Sequence, residues 1–114
     1  MIVSPEVKVF LATGATDLRK SINGLSALVE EEMSVSPFTG ALFGFCNRKR
    51  NLIKLLYWDR NGFALWMKRL EKDRFEWPKS NSKLELTGRE LRWLLDGLTL
   101  ENQAFETLGY QSAG

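Results

Sequence analysis

Arg48, Lys49 and Arg50 stand in a row, and Lys54, Lys68, Arg69 and Arg74 follow soon after. Cations at this density suit a polyanion, because several of them release condensed counterions together when they meet phosphates. Residues 48–83 hold eleven Lys/Arg against four Asp/Glu, a local net of +7 in a chain whose total is only +2. Residues 1–47 sum to −2 and residues 84–114 to −3, so the positive charge is concentrated rather than spread. Arg48, Lys49, Arg50, Lys68 and Arg69 are the primary candidates for nucleic-acid contact, with Lys54 and Arg74 secondary. The same charges would equally serve to keep an exposed hairpin in solution, and both readings stand at this point.

Other chemistry is poorly provided for. The chain has no histidine, which removes the commonest general base, proton shuttle and metal ligand near neutral pH. No glycine-rich phosphate loop precedes a Lys-Ser/Thr pair, and the scattered hydroxyls lack a plausible activating base. Asp17, Asp59, Asp73 and Asp96 belong to different segments, and Glu30-Glu31-Glu32 is a run whose members point in different directions on a helix. A two-metal nuclease needs acidic groups converging on one pocket, and nothing in the sequence supplies them. The expectation is a protein that is not an enzyme, with no catalytic residue, no metal, no cofactor, no small-molecule substrate and no nuclease activity of its own.

The lone Cys46 cannot form an internal disulfide and suits a reducing, cytoplasmic setting. Its place at the end of the apolar run Ala41 to Phe45 reads as a small buried hydrophobe rather than a reactive thiol. The N-terminus shows no charged leader before a long apolar core, and no segment approaches the roughly 20 apolar residues of a membrane span. With 114 residues, 44% of them hydrophobic and 26% charged, the chain reads as a single domain over residues 1–100 that folds without staples. Residues 101–114 read as a flexible C-terminal tail.

Val7, Val9 and Leu11 alternate as a short strand would. Leu18, Ile22, Leu25, Val29 and Met33 fall on one side at helical spacing, with Thr16 as the cap and Asp17 favourably placed at the positive end of the helix dipole. Ala41–Cys46, Asn51–Trp58 and Phe63–Met67 read as strands. Asn61-Gly62 is the strongest turn signal, since both residues tolerate the positive φ of a type I′ turn. A two-residue loop there pairs Trp58 with Leu65, Leu56 with Met67, and Lys54 near Arg69, whereas a four-residue loop shifts the pairing by two. In either case one face carries Lys54, Leu56, Trp58, Phe63, Leu65, Met67 and Arg69, and the other Ile53, Leu55, Tyr57, Trp66, Lys68 and Leu70.

Both faces of this hairpin are apolar, so both need cover. One candidate for the second face is a helix over Leu91, Leu94 and Leu95, opened by the capping box Thr87-Gly88-Arg89-Glu90 and closed at Gly97. The other is a protein partner meeting Tyr57 and Trp66, either a second copy in a homo-oligomer or another protein. The order β-α-β-β-β-α, with room for a further strand before the last helix, predicts an α+β fold: an antiparallel meander with helices on one face.

The string Pro37-Phe38-Thr39-Gly40-Ala41-Leu42-Phe43-Gly44-Phe45-Cys46-Asn47-Arg48-Lys49-Arg50 is distinctive. So are Lys54-Leu55-Leu56-Tyr57-Trp58-Asp59, Gly62-Phe63, Lys68-Arg69-Leu70-Glu71 and Phe75-Glu76-Trp77-Pro78. With Asp17-Leu18-Arg19-Lys20 and Leu86-Thr87-Gly88-Arg89-Glu90-Leu91, they closely resemble the small accessory protein of the insertion-sequence-66 family of transposable elements, its TnpB-type product. The likeness spans most of residues 7–100. It implies a protein that acts beside a separate, larger transposase in moving the element, and it carries over no catalytic residue. Under that resemblance the basic segment either binds double-stranded transposon DNA or merely assists a scaffold that docks on the transposase.

Overall fold

Strands of this chain are apolar on both faces, and the computed structural model, which describes residues 3–79 and 83–97, covers each face with one helix. The elements are β1 (Lys8–Leu11), α1 (Ile22–Glu32), β2 (Leu42–Cys46), β3 (Leu52–Asp59), β4 (Gly62–Arg69), β5 (Leu84–Thr87) and α2 (Gly88–Leu95). The sheet runs β4-β3-β2-β1-β5. The α+β class is as expected, but two details differ.

First, the sheet is mixed: β1 and β2 are parallel, and the other neighbours are antiparallel. α1 lies between β1 and β2 in the chain, and a crossover through a helix returns the chain to the end where it began. Second, the helices lie on opposite faces rather than on one. Leu25 and Val29 of α1 pack with Phe10, Phe43, Phe45 and Leu56. Leu91, Leu94 and Leu95 of α2 pack with Val9, Leu11, Cys46, Ile53 and Leu55. Period-two alternation sends Phe43 and Phe45 one way and Leu42 and Cys46 the other, all of them buried. Each fully buried side chain of this size contributes about 1.5–3 kcal/mol, so neither face could be left wet.

α1 begins later than the periodicity suggested. Its N-cap is Ser21, not Thr16. Asp17 instead accepts the Arg19 backbone N–H at 3.0 Å, and Lys20 N–H reaches the Asp17 carbonyl. These local bonds give residues 17–20 an alternative to the helical turn. α2 follows expectation. Thr87 accepts from Glu90 N–H, the Glu90 carboxylate accepts from Thr87 N–H at 3.0 Å, and Gly97 closes the end at φ +87°. Thr87→Ala should cost about 1 kcal/mol, read as a lower urea midpoint with an unchanged slope.

The hairpin turns at Arg60-Asn61, since Asp59 pairs with Gly62, and the ladder is the shifted one: Trp58 faces Phe63, Leu56 faces Leu65 and Lys54 faces Met67. Lys54 is therefore not opposite Arg69, which faces Leu52. Arg60 sits at φ +56°, a conformation costing a non-glycine residue roughly 1 kcal/mol. The register offsets that cost by joining Trp58 and Phe63 with Phe38, ring centroids 5.1–5.4 Å apart.

Candidate nucleic-acid interface

The Arg48–Arg50 turn is built by Asn47. Its side-chain oxygen accepts from the N–H groups of Asn51 and Leu52, each at 3.1 Å, and its amide donates to the Asn51 side chain at 2.7 Å. Arg50 N–H returns to the Asn47 carbonyl, and Arg50 itself is left-handed at φ +60°. Arg48 and Lys49 are thereby held at an exposed apex.

Two other segments reach the same end of the sheet. Because β1 is parallel to β2, the chain leaving β1 arrives beside this turn, where Thr16 N–H donates to the Cys46 carbonyl at 2.8 Å. The chain leaving β4 is bound to the turn by Leu70 N–H on Asn51 (2.8 Å) and Phe75 N–H on Arg50 (2.7 Å). It then crosses beneath, where Trp77 Nε1 donates to the Ala12 carbonyl at 3.0 Å and Gly14 N–H to Pro78 at 2.9 Å. Two open clefts flank the turn. One is lined by Thr16, Asp17, Arg19, Arg48 and Lys49, the other by Gly14, Arg48, Arg50, Trp77 and Lys79.

The structure divides the eleven cations of residues 48–83 by task. Lys54 Nζ donates to the Leu18 carbonyl at 2.7 Å and ties the approach to α1 onto β3. Lys68 Nζ donates to the Leu95 carbonyl at 3.1 Å, where a cation complements the C-terminal end of α2. Lys83 does the same for Met33 at the end of α1, at 3.0 Å. Arg69 pairs with Glu71 at 3.1 Å and Arg60 lies 3.8 Å from Asp59, both at the surface. The remaining six, Arg48, Lys49, Arg50, Lys72, Arg74 and Lys79, form no ion pair among the described residues. All six belong to the turn and the returning segment.

The carboxylates at this end are partly neutralised. Arg19 beside Asp17, with a 2.8 Å contact and a backbone N–H at 3.0 Å, holds the Asp17 carboxyl well below the usual carboxylate range. Arg19 is in turn committed to Asp17. Exposed Asp73 and Glu76 do not cancel six cations. Of the seven expected contact residues, Arg48, Lys49, Arg50 and Arg74 form no ion pair among the described residues, while Lys54, Lys68 and Arg69 have protein partners. Lys72 and Lys79 join them, legible in the charge count although not singled out from it. Arg19 was not legible, because only the parallel pairing of β1 brings it here.

Tyr57 and Trp66 are half-buried and pack against the core of Leu91, Leu94, Phe75 and Trp77. Cys46 is fully buried, and desolvation pushes its thiol up to about 12, so it is no nucleophile at neutral pH. Among the described residues no group of three His, Cys, Asp or Glu could hold a metal ion, and no helix is long and apolar enough to cross a membrane. This arrangement concentrates cations without ion pairs, among the described residues, at one end of the sheet.

The model of the IS66 Orf2 like protein family matches residues 7–104. The chain is 36% identical over 93 residues to y4hO, an uncharacterised protein of Sinorhizobium fredii (strain NBRC 101917 / NGR234), covering 81% of each chain. It is 31% identical over 93 residues to y4jC of the same organism, also uncharacterised, covering 81% of this chain and 80% of that one. No solved structure matches. The chain belongs to the IS66 Orf2-like family, whose role is an accessory one associated with transposition of an insertion sequence.

Proposed function

We propose that this protein is a non-catalytic, cytoplasmic accessory factor of DNA transposition that contacts double-stranded element DNA through its basic sheet end while assisting a separate transposase. One observation carries the reading. Six cations with no ion pair among the described residues converge on the turn and on the segment bonded to it. Exposed rings for stacking unpaired bases are absent from that end among the described residues, since Phe38 lies with Trp58 and Phe63 at the opposite end of the hairpin. That favours the phosphate backbone of a duplex over a single strand.

Fluorescence anisotropy with labelled element-end duplex, repeated from low to moderate salt, tests it. Log affinity should fall linearly against log salt with a slope of roughly −4 to −5, as expected for about five neutralised phosphates. The second reading, a scaffold that docks on the transposase without DNA, is supported by half-buried Tyr57 and Trp66. Salt-insensitive capture of the transposase, together with no measurable duplex binding, would decide for it.

A further inference from the structure

β4 is an edge of the sheet: β3 pairs with one side and, among the described residues, nothing pairs with the other. The opposite edge, β5, has four residues, whereas β4 has eight. Natural sheets blunt long edges with charged side chains, proline or a bulge; β4 carries Lys68 and Arg69 at its C-terminal end, but its five residues from Phe63 to Met67 have none of these.

Which backbone groups face outward follows from one hydrogen bond. Leu70 N–H donates to Asn51 at 2.8 Å, in line with the register that pairs Leu52 with Arg69. Hydrogen-bonded and non-bonded pairs alternate along an antiparallel ladder. Ala64, Trp66 and Lys68 therefore turn their N–H and C=O groups to β3, while Phe63, Leu65, Met67 and Arg69 turn theirs outward.

We propose that the outer edge of β4 pairs with the same edge of a second copy of this chain, antiparallel about a two-fold axis at Leu65. In that register Leu65 faces the partner's Leu65 and Phe63 faces the partner's Met67, each pair contributing outward N–H and C=O groups to the new ladder. The side chains select this register. Phe38, 55% exposed, and Met67, 58% exposed, are the large hydrophobics left at the surface among the described residues. Phe38 packs on Phe63 with centroids 5.4 Å apart, so the two-fold axis sets the partner's Met67 beside that ring cluster, twice over. Sulfur against aromatic rings is a favourable contact.

Charge agrees with it. Lys68 falls opposite the partner's Gly62, and Arg69 opposite the partner's Asn61, so no like charges meet across the seam. Centring the axis on Ala64 would set Lys68 against Arg60, and centring it on Trp66 would part Met67 from the rings. The two basic ends then point in opposite directions from one continuous sheet. On the reading that each holds duplex DNA, one dimer holds two duplexes.

Sedimentation equilibrium of the full chain without DNA tests the pairing, and the expected mass is twice 13.1 kDa. Met67→Pro deletes an outward N–H and leaves the β3 ladder intact, and Met67→Lys places a charge against the rings without altering the backbone. Both should sediment as monomers, and the circular dichroism of Met67→Lys should match the parent's. A parent that stays monomeric at its highest soluble concentration, or a folded Met67→Lys that still dimerises, overturns the proposal. Duplex binding is read separately: a dimeric parent that ignores DNA removes the DNA reading and leaves the β4 pairing standing.

Discussion

Trp77→Ala should lower the free energy of unfolding by roughly 3–5 kcal/mol. Trp77 is 4% exposed although it belongs to no helix or strand. Its ring lies over Gly44, where a Cβ would meet Leu55 at 3.3 Å, the ring itself at 3.4 Å and Leu11 at 2.6 Å. The glycine is thus the space that the indole and Leu11 occupy. Its Nε1–H also satisfies the Ala12 carbonyl at 3.0 Å. Trp77→Phe separates the two contributions: most of the packing survives and the loss should be about 1 kcal/mol, from an unpaired, half-buried carbonyl. Urea unfolding followed by circular dichroism measures both. A Trp77→Ala loss below about 1 kcal/mol would show that Trp77 adds little to the cover that α2 gives this face.

The second large effect is electrostatic. Replacing Arg48 and Lys49 by Ala and Arg50 by Gly should flatten the salt dependence of duplex binding by about two to three units of slope, close to 0.9 for each phosphate no longer neutralised. Glycine is used at Arg50 because its φ is +60°, which Ala would adopt only with strain. The carbonyl that receives Phe75 N–H is kept by this change, so the turn should persist and the melting temperature should stay near the parent's. Lys54→Ala and Lys68→Ala should behave in the opposite manner. Their ammonium groups hold the Leu18 and Leu95 carbonyls, so stability falls while the slope changes little. If instead the triple variant binds duplex with the parent's slope, the turn is a solvated one.

Local signals placed most elements of this chain but missed two boundaries: α1 is capped by Ser21 rather than Thr16, and the hairpin turns at Arg60-Asn61 rather than Asn61-Gly62. The spacing of Ile22, Leu25 and Val29 marks α1, the Thr87–Glu90 capping box marks the start of α2, and the alternation of Val7, Val9 and Leu11 marks β1, whereas β5 is legible only as room for a further strand. Helical and strand periods, caps and turns depend on neighbours within a few residues. The charge cluster was equally legible, since net charge needs no coordinates. Even the two-faced hairpin could be read, because period two fixes the faces whatever the loop length.

Long-range pairing decided the rest. The parallel contact of β1 with β2, and β5 closing onto β1, join residues tens of positions apart, and no local pattern encodes which edge a strand will take. That pairing brings Thr16 and Arg19 to the basic turn, and it sends the helices to opposite faces because each face of the central strands is apolar. Tertiary contact also divided the cations. By residue type Lys54, Lys68 and Arg48 look alike, but the first two lie within reach of otherwise unsatisfied carbonyls near a helix end. A half-buried carbonyl without water needs a donor, so those lysines serve the fold. Residue order alone places a concentrated cationic segment between two helices. Which six of its cations stay free of ion pairs among the described residues depends on the long-range packing that occupies the others.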